Sequence, residues 1–165
     1  MSESVTKFKQ ISPAALIQTI KVNLLRQPLW GSQTVMDCLG LSREQVRAKI
    51  QSGEFPFAFD IGKGKNRTEP RILALSVVEQ QLGPIPEIGA TRNLNLPEVI
   101  NLILPARDIR STELKRLFSC SHNWMWHVAS EFVAVQKPKA KDGPNSYAIF
   151  SHASVAEFLA RRRML

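Results

Sequence analysis

Cysteine is scarce in this chain: Cys38 and Cys120 are its only two, 82 positions apart. Each falls on an apolar position of a predicted helix, the pattern of reduced core thiols and not of a disulfide framework, which predicts a cytoplasmic compartment. Long hydrophobic runs are lacking as well. Gln18 and Lys21 break up residues 14–25, so there is no apolar core of a secretory signal, and no run approaches the length that spans a bilayer. Nor is there a phosphate-binding loop, because Gly62, Lys63, Gly64 and Lys65 lack the required spacing and the following Ser or Thr. Cys120, His122 and His127 do not put three metal ligands on one helical face, and no nucleophile is paired with a base at a strained turn. These absences predict a protein that is not an enzyme and carries no cofactor or metal. Acidic residues are the minority sign, 14 against 22 Lys and Arg, for a net charge of +8. Residues 1–83 hold eleven Lys/Arg and seven Asp/Glu, and residues 84–165 hold the same numbers. So even a division fits a chain that meets a polyanion along its whole length.

With 44% apolar residues and no low-complexity tract, the chain has the composition of a folded protein. Its most informative stretch is 39–56. Ser42 is a side-chain acceptor where a helix would begin, and Ser52 with Gly53 stops that helix. Between them Val46, Ala48 and Ile50 offer a buried edge, while Arg43, Glu44, Gln45, Arg47 and Lys49 are left outside. Upstream, Val35, Met36 and Leu39 have the spacing of a supporting helix over 32–39. This is the pattern of a helix-turn-helix, whose second helix is held out to read DNA.

Leu41, Ser42, Arg43, Val46, Ile50, Ser52, Gly53, Glu54, Phe55 and Pro56, followed by a basic glycine loop and an apolar segment over 72–82, make residues 30–83 similar to the excisionase and MerR-like winged-helix family. The resemblance implies that fold and DNA binding, but no particular process. It also implies that the chain leaves the reading helix at Gly53-Glu54 into a β-hairpin, the wing, and returns to a closing helix that starts at Ser76. The wing tip would carry Lys63, Lys65, Asn66 and Arg67, either against phosphate and minor groove or as a solvated basic turn.

Shifting the chain on itself by 79 residues lays Ser111 over Ser32, Leu114 over Val35, Phe118 over Leu39, Ser121 over Ser42, Met125 over Val46 and Ala129 over Ile50. With one residue lost in the wing, Ser154, Val155 and Glu157 fall on Ser76, Val77 and Glu79. The expected fold is therefore mainly α with short β-hairpin wings, as two tandem winged helix-turn-helix modules. The second would have a reading helix over 122–129, a wing over 133–150 and a closing helix over 151–163. The expected divisions are 1–28, an N-terminal helix; 29–84, the first module; 85–105, a linker with a short helix over 96–103; and 106–165, the second module. Ile11, Leu16, Ile17, Ile20 and Leu24 give the N-terminal helix an apolar stripe that packs on the first module or forms a dimer contact.

The second module departs from the family: Cys120 stands in the turn, no Gly-Glu follows its helix, and Trp124 and Trp126 replace Gln45 and Arg47. Two readings stay open. In one, Trp124 and Trp126 form an interface with a partner or a second copy. In the other, His122, Asn123 and Trp126 face DNA, with Asn123 suited to adenine, and Lys137, Lys139, Lys141 and Asn145 form a second basic hairpin tip. The functional expectation is a sequence-specific double-stranded DNA-binding protein, nucleoid-associated, acting as a transcriptional regulator or recombination directionality factor. The alternative is a DNA-bound adaptor that recruits an integrase, terminase or replication protein.

Overall fold

A computed structural model describes residue 24 and residues 26–62, 67–136 and 148–164. Most of the N-terminal stripe therefore lies outside the described residues, as do Lys63, Lys65, Asn66, Lys137, Lys139, Lys141 and Asn145.

Seven α-helices and two three-stranded antiparallel sheets make up the described residues. The first unit runs β1 (Leu29–Gly31), α1 (Ser32–Leu39), α2 (Arg43–Gln51), β2 (Ala58–Asp60), β3 (Pro70–Leu73) and α3 (Ala74–Leu82). After α4 (Leu96–Ile103) the same order recurs: β4 (Ile109–Arg110), α5 (Ser111–Leu117), α6 (His122–Val128), β5 (Ala134–Gln136), β6 (Ile149–Phe150) and α7 (His152–Arg162). Strand order repeats too, β1-β3-β2 and β4-β6-β5. Even the register agrees: Trp30 and Ala58 both pair with Ile72, and Ile109 and Ala134 both pair with Phe150. The turns match as well. Gly40 ends α1 at φ +66°, and 79 residues on, Ser119 takes φ +49°. A left-handed conformation costs a non-glycine residue about 1–2 kcal/mol. Ser119 is held there by donating from Oγ to the Leu29 carbonyl (2.5 Å) and accepting at Oγ from Gln27 (2.9 Å).

Local chemistry explains the helix ends. Ser42 caps α2 in a reciprocal box: its Oγ accepts from Gln45 N–H (3.2 Å), and its own N–H donates to Gln45 Oε1 (2.8 Å). Asn95 and Glu98 form the same box on α4, with Pro97 in the first turn. Two expectations need correction. The closing helix of the first unit starts at Ala74, not Ser76; Ser76 is buried inside it and donates from Oγ to the Leu73 carbonyl (2.7 Å). Ala48 is exposed, because two residues from Val46 is more than half a turn away; the buried pair is Val46 and Ile50, four apart.

The core is divided by the first sheet. On one side Ala58 and Ile72 close a cluster with Val35, Val46, Ile50, Phe55 and Val77. On the other side Leu29, Phe57, Phe59, Ile61 and Leu73 join a larger cluster that contains Leu114, Phe118, Trp124, Met125, Val128, Phe150 and Phe158 from the second unit. Alternation along the strand sends Phe57 and Phe59 to the opposite face from Ala58, so this sheet is covered on both sides. The two units thus share the larger cluster. Residues 85–105 take part in it through Ile85, Val99, Ile100, Ile103 and Leu104, so the segment between the units is packed and is not a free tether.

Trp124 illustrates the seam, and its burial removes it from the open reading in which it forms an interface with a partner or a second copy. Only 2% exposed, it meets Phe118 and Phe158 edge-on with ring centroids 5.8 and 6.1 Å away, and donates from Nε1 to the Ile61 carbonyl at 2.5 Å. Burying an indole requires a partner for its N–H, and the first unit supplies it. Arg71 crosses in the other direction, donating from Nε to the Phe118 carbonyl (2.8 Å) and from Nη2 to the Ser119 carbonyl (3.0 Å). Cys120 lies beside this crossing, in the turn before α6 and not on a helix as its apolar spacing suggested. Burial pushes its thiol up from 9.0 to about 12, and the nearby Arg71 guanidinium offsets part of that.

Candidate nucleic-acid interface

Helix α2 buries Val46 and Ile50, which fixes which way its remaining residues point. Arg43, Arg47 and Gln51 follow one another at four-residue spacing, and all three are exposed. They line one wall of an open groove of about 570 Å³. The opposite wall is the strand leading down from the basic loop, Thr68, Glu69, Pro70 and Arg71, and Met164 contributes from the end of the second unit. Arg43 and Arg47 have no ion pair among the described residues, whereas Lys49 on the same helix is paired with Glu54 (2.5 Å). Arg71 is also committed, to the two carbonyls across the seam, to the Pro70 carbonyl (3.0 Å) and to Glu69 (3.2 Å). The available cations of this groove are therefore Arg43 and Arg47.

Of the remaining sequence-derived candidates on α2, Glu44 is exposed near the same side. Gln45 is exposed, yet its Oε1 is engaged with the Ser42 N–H, so its first role is to hold the helix start. Arg67 is exposed at the rim of the loop that holds Lys63, Lys65 and Asn66.

The stem of that loop is tightly built. Asp60 Oδ1 accepts from both Gly62 N–H (2.8 Å) and Glu69 N–H (2.9 Å), and Ile61 N–H donates to the Glu69 carbonyl (3.1 Å). A Cβ at Gly62 would overlap the Arg67 carbonyl, so only glycine fits. The second unit holds the same stem from behind, through Trp124 on Ile61 and through Arg162, whose Nη1 donates to the Gly62 carbonyl (3.1 Å). Arg163 adds a bond from Nη2 to the Pro56 carbonyl (3.2 Å) and lies over the Phe57 ring at 4.5 Å. None of Asp60, Arg71, Arg162 and Arg163 stood out in the sequence. Asp60 alone had a local signal, a short acceptor at the end of a strand just before a glycine turn.

On α6, His122, Asn123 and Trp126 are exposed, and Ser121 caps the helix by accepting from Trp124 N–H (3.2 Å). Trp126, 69% exposed, donates from Nε1 to His122 Nε2 (2.6 Å), while Lys115 Nζ lies 3.2 Å from Nδ1 of the same ring. Both neighbours are donors, so a neutral imidazole satisfies only one of them at a time. Asn123 makes no side-chain hydrogen bond among the described residues. The α6 surface thus differs from that of α2: one tryptophan inside, one outside, and no arginine.

No helix among the described residues is long and apolar enough to cross a membrane. No protein-family model, no curated protein and no solved structure matches the chain.

Proposed function

We propose that this chain is a sequence-specific double-stranded DNA-binding protein made of two tandem winged helix-turn-helix units, and that it controls transcription or the direction of recombination. The observation that carries the reading is the pair Arg43 and Arg47, without an ion pair among the described residues, on the exposed side of a capped helix across a groove from the residues that follow the lysine-rich stretch. Arginine offers guanine a bidentate partner in the major groove, and the loop cations supply position and affinity on the backbone. The even distribution of the +8 charge supports contact by both units.

The test compares a selected site with random duplex. Arg47→Ala is expected to cost about 1–3 kcal/mol on the selected site and little on random DNA, and Arg67→Ala to weaken both alike. Affinity should fall steeply with salt, with on the order of six to ten counterions released. A salt slope near zero removes nucleic acid from the proposal, and equal losses on both DNAs for Arg47→Ala remove α2 as the reader. The exposed Trp126 supports a second reading, an adaptor that binds DNA through the first unit and recruits a recombination, packaging or replication protein through the second.

A further inference from the structure

Repetition allows each surface of one unit to be compared with its counterpart. Because Ala58 and Ala134 occupy equivalent places opposite Ile72 and Phe150, Val133 corresponds to Phe57; Phe59, opposite Arg71, corresponds to Gln136, opposite Ile149, and Val135 is an extra residue at a β-bulge between them. Phe57 and Phe59 are 2% and 0% exposed, covered by the second unit. Val133 and Val135 are 63% and 59% exposed. The strand edges differ in the same way. β2 and β5 are both outer strands. The outer side of β2 is taken by the end of the chain: Met164 N–H donates to the Ala58 carbonyl (2.8 Å), and Phe59 forms an antiparallel bridge with Arg163. Among the described residues no strand lies outside β5.

An open edge beside two exposed valines is a pairing template. Its counterpart on the first unit shows what such a surface receives in this protein, an antiparallel backbone bridge together with apolar cover from a unit of the same kind. Two arrangements of copies can provide this. Head-to-tail stacking would require the first unit to present to the next chain what the second unit presents at the internal seam, Trp124 and Phe158. The equivalent residues are Gln45 and Gln80, both exposed and polar. Stacking of that kind would bury amides against valines and is disfavoured. A two-fold arrangement needs no second surface, because antiparallel pairing of β5 with β5 is self-complementary.

We infer that β5 is a homodimer interface, with two copies of this chain joined edge to edge through residues 133–136 into a six-stranded sheet. Val133 and Val135 of each copy then cover those of the other. The surface is small and each chain carries +8, so the dimer is weak and favoured by salt, with a dissociation constant on the order of 10 µM. No DNA contact enters this inference, so it stands or falls apart from the proposed function.

The experiment is sedimentation equilibrium of the full chain without DNA, at about 0.3 M salt, where the Debye length falls to roughly 6 Å. Wild type is expected to dimerise as its concentration rises to about 200 µM. Val133→Lys/Val135→Lys, altered only at exposed side chains, is expected to remain monomeric with an unchanged circular dichroism spectrum. A second variant covers the case in which the double lysine change disturbs folding. Val135→Cys should form a disulfide-linked dimer under mild oxidation, and Gln80→Cys should not. A wild type that stays monomeric throughout overturns the inference. So does a folded double-lysine variant that still dimerises, and so does a disulfide that forms between Val135→Cys and Gln80→Cys chains in a mixture, which would mean head-to-tail contact.

Discussion

Replacing Trp124 should destabilise the first unit, although Trp124 belongs to the second. Its indole is 2% exposed, packs against Phe118 and Phe158, and satisfies the Ile61 carbonyl at the stem of the first unit's loop. Truncation to alanine removes an aromatic from a packed core, about 3–5 kcal/mol. It also leaves a buried carbonyl without a donor, about 1–3 kcal/mol more. Against a total stability of about 5–15 kcal/mol, Trp124→Ala brings the whole chain near its threshold. Trp124→Phe is the sharper probe, because it keeps a ring in place and loses mainly the hydrogen bond, for about 1–3 kcal/mol. The sequence has three tryptophans, so in Trp124→Phe/Trp126→Phe only Trp30, on β1, remains to report on the first unit. Urea unfolding is then followed by Trp30 fluorescence and by far-UV circular dichroism, with Trp126→Phe as the reference. One shared core predicts that both signals trace a single transition whose midpoint falls by roughly 0.3–1.5 M for an m value of about 2–3 kcal/mol/M. A Trp30 transition that stays at the reference midpoint while the dichroism becomes biphasic would refute the reasoning and make the units independent.

Cys120 gives a pH-dependent prediction. With its thiol pushed from 9.0 to about 12, its thiolate fraction at pH 8 drops about a thousand-fold, so in a Cys38→Ser chain alkylation should be slower than in urea by about that factor; native labelling within tenfold of the unfolded rate would contradict it. The folded state holds this proton more tightly than the unfolded state, so the stability associated with the neutral thiol is full below pH 9 and is lost as pH rises towards 12. Cys120→Ala should lack that part of the alkaline decline in a comparison of urea midpoints. Gly62→Ala places a methyl group against the Arg67 carbonyl and must open the loop stem; on the proposed function it should weaken binding to selected and random DNA alike, and a loss confined to the selected site would show that the stem does not hold the backbone.

What could be read in advance was local. Ser42 and Ser121 mark helix starts through side chains that serve their own backbone, Gly53 marks a helix end, and those helices lie where these residues put them. The 79-residue offset was legible because equivalent helices need apolar residues at equivalent places. The seam was not, because it depends on which face of a three-residue strand meets a neighbour far away in the chain. One signal was present: Phe55, Phe57, Ala58, Phe59 and Ile61 are apolar nearly without alternation, as a strand covered on both faces requires. Reading it would have shown that something must cover Phe57 and Phe59, and so that the second unit docks. The loop stem held by Asp60 and Arg162 was equally hidden, since the stem groups they bond are backbone carbonyls and amides that any sequence possesses.

Tryptophan at positions 124 and 126 shows why matched positions in a repeat do not have matched roles. Both replace polar residues of α2, and both looked like interface anchors. The internal seam separates them: position 124 points at the first unit's sheet and requires a large apolar group with one donor, whereas position 126, half a turn on, points to solvent and bonds only to His122. In the first unit the equivalent position 45 is exposed, with nothing docked against it among the described residues, and a glutamine there closes the helix cap. The second helix has thus put one of its faces into supporting the loop stem beside α2. If the first unit's groove is the DNA site, part of its geometry is set by residues more than sixty positions away, Trp124 and Arg162 among them. Changes at those residues would then alter DNA affinity without touching DNA.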